Sequence, residues 1–353
     1  MSSAPETLSR LLSQLSVRRI SAVYLWLGFM VLFGILAPNT FLTETTFLVV
    51  FGEGVITCLL ALAFLIPLAA GIYDLSIGGV MALSLALSVY LSIHTGLPPG
   101  VGALVAVAAC TLTGFVSGFI VVRLRVNSFI GTLGVSQVLL AICLLLSGNK
   151  QIVGEFPESW STLGNGKILG IPNVDFFLLA VALVLWYVLE HTRIGRYVFA
   201  TGGNPEAARL AGVKTDRLIW GTLVASATMA GLAGVVYSMR AGIFTATTGP
   251  GYLFPAVAAV FLGASQLSQR PNVWGTLIAY FALAFGVQGL LLAVSSAAVW
   301  SQPLFQGVAL IVAVALAAKP VSKKLKQQKA ETDRMTRPHT VSEAVAAKGE
   351  GGG

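Results

Sequence analysis

Charge is scarce in this chain. Asp, Glu, Lys and Arg make up only 10% of its 353 residues, against about 25% in a soluble domain. No Arg or Lys occurs between Arg19 and Arg123. A water-soluble fold would not leave so long a stretch without a cation. Cysteine and histidine are sparse too, with three of each. Cys58, Cys110 and Cys143 lie inside apolar runs with no CxxC spacing, which argues against a disulfide framework and a zinc site. There is no HExxH, and three histidines support no Ser/His/Asp set. Gly166-Lys167 is followed by Ile168 where a Walker A motif needs Ser or Thr, so the chain is not expected to bind ATP itself. No metal site, no bound cofactor and no catalytic residue are expected.

Apolar residues fill the space that charge leaves. Hydrophobic residues reach 56%, and the mean hydropathy is +0.84. The chain reads as an all-α, polytopic membrane protein. Its 38 glycines suit helices that associate by close approach in lipid. The net charge of +8 could suggest a nucleic-acid partner, but half of it falls in residues 319–353 and the rest in short loops. No nucleic acid is expected.

The apolar runs give ten spans, at approximately 20–37, 46–70, 76–93, 99–122, 128–147, 174–190, 218–239, 254–268, 273–294 and 300–318. Ten spans put both termini on one side. With the N-terminus inside, 19 cations fall inside and three, Lys150, Lys167 and Arg240, outside. That asymmetry is the positive-inside pattern and makes both termini cytoplasmic. Three parts follow: a cytoplasmic segment 1–19, a membrane domain 20–318 and a basic, polar tail 319–353 expected to be disordered. Loop 148–173 is the largest outer segment and either docks an external partner or is a plain connection.

A polar island at 191–217 interrupts the spans and carries Arg193, Arg196, Arg209, Lys214 and Arg217. Inside it the residues Asn204 to Gly212 spell a short helix. Asn204 is a good N-cap, and Pro205 suits the first helical position. Glu206 places negative charge at the positive end of the helix dipole. Gly212 can take the left-handed conformation that ends a helix. Ala207, Leu210 and Ala211 share one face, suited to a partner's groove. An ordinary capped loop helix remains the competing account.

Two further breaks stand out. Gly71-Ile-Tyr-Asp-Leu-Ser-Ile-Gly-Gly79 separates the second and third spans, and Ala241 to Pro255 is rich in Gly and Thr. Irregular backbone near membrane depth survives where protein or water satisfies it, and often lines a substrate path. Asp74, Ser76, Asn127, Phe129, Gln137 and Gln288 are the candidates for such a path. Interhelical hydrogen bonding is the alternative role for Gln137 and Gln288. Glu53, in the second span, could face the path, titrate, or snorkel to the outer interface. Phe129-Ile-Gly-Thr-Leu133 and Val273-Trp-Gly-Thr-Leu277 form a faint internal echo.

Four stretches carry a resemblance to a known family. They are Tyr73-Asp-Leu-Ser-Ile-Gly78, Val126-Asn-Ser-Phe-Ile-Gly-Thr-Leu-Gly134, the run from Gly195 to Gly212, and Val260-Phe-Leu-Gly-Ala-Ser with Val273-Trp-Gly-Thr-Leu277. The chain resembles the permease subunits of bacterial ABC importers that handle ribose, other monosaccharides and related small molecules. The match spans roughly residues 45–318. It departs at Gly71-Ile72, where the family has Gly-Gly, and at Gln266-Leu-Ser-Gln-Arg270, where the family is glycine-rich.

The resemblance implies a multi-pass protein of the bacterial plasma membrane. Residues Asn204, Pro205, Glu206, Ala207, Ala208, Arg209, Leu210, Ala211 and Gly212 would form a coupling helix for a separate ATPase that uses ATP and Mg. The small Ala207, Ala208 and Ala211 would let that helix seat closely. A solute-binding protein would deliver the solute to a pathway between two permease subunits, identical or related. The main alternative is a proton-coupled secondary transporter with Glu53 or Asp74 as the titrating group.

Overall fold

Short polar side chains decide where many of these apolar helices begin. In the computed structural model, Thr43, Asn127, Thr192, Asn204 and Asn272 each accept a backbone N–H from the first turn of the helix that follows. The structure describes residues 21–267 and 270–294, and residues 300, 301, 303–305, 307, 308 and 311 beyond them.

The first five helices are α1 (Ser21–Leu36), α2 (Glu44–Ala69), α3 (Ile77–His94), α4 (Pro99–Gly118) and α5 (Ser128–Ser147). The turn Phe119–Arg123 continues α4 as a π-helix. The connection to the next span folds as β1 (Ile152–Val153), α6 (Glu158–Asn165), β2 (Lys167–Ile168) and β3 (Ile171–Pro172). Then come α7 (Asn173–His191), α8 (Arg193–Gly203), α9 (Pro205–Leu210), α10 (Thr215–Ala241), β4 (Ile243–Phe244), α11 (Thr248–Leu267) and α12 (Val273–Ala293). The only strands among the described residues are two short antiparallel pairs, β1 with β4 and β2 with β3.

Among the described residues seven helices, α2 to α5 (with its neighbouring π-turn counted in α4), α7, α10 and α12, are long and apolar enough to cross a membrane. Two shorter apolar helices fall at Val23–Leu36 and Thr248–Ala264. Together they occupy the first nine expected spans. The tenth, 300–318, lies largely outside the described residues, as do the segment 1–19 and the tail 319–353.

Three boundaries differ from the sequence reading. The span expected at 254–268 starts at Thr248. Pro250 lies in its first turn, where a missing N–H costs no hydrogen bond. Residues 193–203, read as part of a loop, form the strongly amphipathic helix α8. Loop 148–173 is not a plain coil: it ties down to β4, and Trp160 of α6 is buried against Ala103 and Val235.

α10 is the central column and packs on α2, α3 and α4. Small residues set the spacing. A side chain at Gly114 would meet the α10 backbone at Val224, and one at Gly234 would meet the α3 backbone at Met81. α2 is buried on every side from Val55 to Leu65. A helix apolar all round belongs in the interior. A second cluster lies apart, built from Phe33, Phe41, Val50 and Phe285 where α1 meets α12.

Candidate functional sites at the two ends of the bundle

The basic residues of 191–217 gather at one end. Arg270 joins them, with Nη2 2.6 Å from Glu190 Oε2 and its guanidinium carbon 4.5 Å from the Phe199 ring centre. α9 stands out from this end. Asn204 Oδ1 accepts the Ala207 N–H at 3.0 Å, which fixes its start. At its far end Val213 N–H reaches Ala208 O and Gly212 N–H reaches Arg209 O, both at 3.0 Å. This is the paired closure of a Schellman motif, and Gly212 supplies the left-handed residue at φ +84°.

Ala207, Leu210 and Ala211 are exposed, and Leu210 is 91% exposed. Ala208 is the exception to the sequence reading. It is buried against its own chain, because its position faces α8 and α10 rather than outward. Its methyl anchors the helix and takes no part in an outward face. Arg209 is spoken for as well: it bonds Thr215 Oγ1 and Asp216 Oδ1 at 3.2 Å.

Just inside α9 lies the α2–α3 break. Gly71 adopts φ +80°, a conformation that costs a residue with a Cβ about 1–2 kcal/mol. A side chain built on Gly71 would stand 3.3 Å from Gly202 Cα in α8. Asp74 is fully buried, and its Oδ1 accepts both the N–H and the hydroxyl of Ser76. Burial raises its carboxyl above the ordinary carboxylate range, opposed by the Ser76 hydrogen bonds and by the nearby Ser226 hydroxyl. The break is also tied to α5. Leu75 N–H donates to Thr132 Oγ1 at 2.9 Å, and Tyr73 N–H to Ser128 Oγ at 3.3 Å.

The six pathway candidates therefore do not converge. Asp74 and Ser76 are packed away at the break, close to the start of α5 where Asn127 caps Phe129. Phe129 and Gln137 lie on the exposed side of α5. Gln288 lines a cavity at the opposite end of the bundle.

The cavity holds about 470 Å³ between α2, α10, α11 and α12. Its wall is mainly apolar, with Glu53, Thr57, Thr247, Thr248, Tyr237, Tyr252, Tyr280 and Gln288 set into it. Glu53 Oε1 is 2.6 Å from Arg240 Nη2, so the carboxylate is neutralised at the wall. Thr248 Oγ1 lies 2.6 Å from Thr245 Oγ1 at the start of α11. Sequence reasoning weighed Glu53 but left it out, and missed all three tyrosines. The signal available was the Thr- and Gly-rich break before α11. Among the described residues no group of three His, Cys, Asp or Glu could hold a metal ion.

Membrane-crossing helices around a largely apolar cavity with a few polar side chains in its wall suit a membrane transport permease. Residues 46–318 match the family described as branched-chain amino acid transport system / permease component, and the chain belongs to that family. The ribose import permease protein RbsC of Escherichia coli (strain K12) is 34% identical over 288 residues, covering 79% of this chain and 87% of that protein. The fructose import permease protein FrcC of Rhizobium meliloti is 31% identical over 296 residues, 81% of each. The D-allose transport system permease protein AlsC of Escherichia coli (strain K12) is 32% identical over 237 residues, 67% of this chain and 72% of that protein. The chain is thus a multi-pass transport subunit of the bacterial inner membrane and not an enzyme; in such ABC systems a separate ATPase hydrolyses ATP.

Proposed function

We propose that this chain is the permease subunit of an importer for a sugar or a related small polar solute. A separate ATPase, loaded with ATP and Mg, drives it from the basic end, which faces the cytoplasm. A solute-binding protein delivers the solute on the other side, and a second permease, identical or related, completes the membrane part. The names of the ribose, fructose and allose relatives support the solute class.

One observation carries the ATPase-driven reading. α9 is a six-residue helix closed at both ends and held by Ala208, with Ala207, Leu210 and Ala211 left uncovered. So short a helix is marginal alone. Here it keeps an apolar face in water, which suits a partner's groove. The proton-driven alternative needs a free carboxyl. Glu53 is engaged by Arg240, and Asp74 is packed away at the α2–α3 break, at the opposite end of the bundle from the cavity, which favours the ATP-driven reading.

The test is substitution of the exposed face. Leu210→Asp and Gly212→Asp are each expected to abolish uptake and stimulated ATPase activity while the chain still inserts in the membrane. Unchanged transport in both variants would refute the assignment.

A further inference from the structure

Asp74 in the α2–α3 break is fully buried, and none of the ion pairs among the described residues includes it. Its Oδ1 accepts the N–H of Ser76 at 3.0 Å and the Ser76 hydroxyl at 2.5 Å. Its Oδ2 is buried too and has no hydrogen-bond partner. A second orphan lies on α10. Ser226 is fully buried, its Oγ has no partner, and its hydroxyl is close enough to act on the Asp74 carboxyl. Two neighbouring buried side chains, each with a polar atom unmet, lack a single hydrogen bond between them. We infer that Asp74 is a neutral carboxylic acid whose proton, on Oδ2, is donated to Ser226 Oγ, pinning the α2–α3 break to the central column α10. The proton stays in place through the transport cycle. The role of this pin in transport rests on the ATP-driven reading above, whereas the protonation does not.

Two protonation states compete at this position. An ionised Asp74 would keep a full charge out of water with no countercharge, and a carboxyl so placed takes up a proton instead. The neutral acid has one O–H to donate and still accepts. Oδ1 then keeps both bonds from Ser76, and Ser226 Oγ gains the partner it lacks. The other elements at the break bring no charge to the carboxyl. Ser128 and Thr132 of α5 accept the N–H groups of Tyr73 and Leu75, and α8 approaches through the backbone of Gly202. The place of the pin gives it a role. Gly71 stands against α8, and Ser226 lies on the column that packs on α2, α3 and α4. Asp74 is thus a positioning residue between α8 and the column and does not touch the solute.

The sequence makes the proton visible. Its aspartates are Asp74, Asp175, Asp216 and Asp333, so labelling the aspartate side-chain carboxyl with carbon-13 gives few lines. Solid-state NMR of the full chain in lipid bilayers at pH 7, well above the ordinary aspartate pKa of about 3.9, should show a line at the protonated-acid position. That line should vanish in Asp74→Asn and move in Ser226→Ala. The second arm reconstitutes the full complex, with ATPase and binding protein, and measures uptake of D-ribose, D-fructose and D-allose per ATP hydrolysed. Asparagine can accept from Ser76 and donate to Ser226 without any charge, so Asp74→Asn should match the parent. Ser226→Ala leaves the acid proton without an acceptor and should lower solute per ATP by about fivefold or more.

An Asp74 line at the carboxylate position would overturn the neutral acid. A line that keeps its place in Ser226→Ala would overturn the bond to α10. An Asp74→Asn complex that hydrolyses ATP and moves no sugar would overturn the fixed pin, because the proton would then have to leave during transport. A parent complex that moves none of the three sugars would overturn the sugar reading alone, and the NMR lines would still decide the acid.

Discussion

Gly202→Ala probes the joint between the basic end of the bundle and the membrane helices. The added Cβ would stand 3.0 Å from Gly71 N and closer still to the Ala69 carbonyl oxygen. Comfortable contact begins at about 3.5 Å. Both neighbours are backbone, so neither can rotate aside. α8 must retreat by a sizeable fraction of an ångström, and overpacking of this kind costs about 1–3 kcal/mol. That is roughly a 5- to 150-fold change in the equilibrium holding α8 against the break. Gly203 is the internal control, because a Cβ there meets nothing within 4 Å. An alanine in a helix is better than glycine by about 0.5–1 kcal/mol. The assay is solute moved per ATP hydrolysed in the reconstituted complex. Gly202→Ala should keep basal ATPase activity and lose solute per ATP by about fivefold or more. Gly203→Ala should match the parent. Equal coupling ratios in the two variants would refute the idea that the Gly71–Gly202 contact passes motion from α8 and α9 to the break.

Two further outcomes follow from single side chains. Thr132→Val removes the acceptor for the Leu75 N–H; leaving that group unpaired should cost about 1–3 kcal/mol, read as a lower unfolding midpoint in detergent, with Ser retaining most of it. Asn272→Ala removes the cap on Gly275 N–H at 2.6 Å and a contact with Gly263 O; a loss of about 1 kcal/mol is expected, and an unchanged midpoint would show that the cap contributes nothing.

The spans were legible because their signal is local. The span expected at 128–147 is the helix Ser128–Ser147, and its ends are sharp because Asn127 caps the start and Gly148 turns left-handed just past the end, each within one turn. The short helix α9 was legible for the same reason. What it touches was not: Ala208 and Leu210 are both small-to-medium apolar residues, and only packing decides that one is anchored and the other free. The start of α11 was misplaced because Gly249-Pro250-Gly251 looks like a break, although a proline in a first turn is no obstacle. The cavity was the least legible feature. Its tyrosines at 237, 252 and 280 sit on three helices far apart in sequence, and no pattern along the chain brings them together.

The two packing styles in the bundle divide it mechanically. Where α10 meets α3 and α4, backbones touch through Gly114 and Gly234, and any slip would drive main chain into main chain. Where α1 meets α12, rings of Phe29, Phe33, Phe41 and Phe285 meet at centre distances from 5.6 to 6.2 Å. Rings can tilt past one another and keep contact; glycine-tight backbones cannot. During a transport cycle the tight half should travel as one slab, with the phenylalanine seam as its bearing surface.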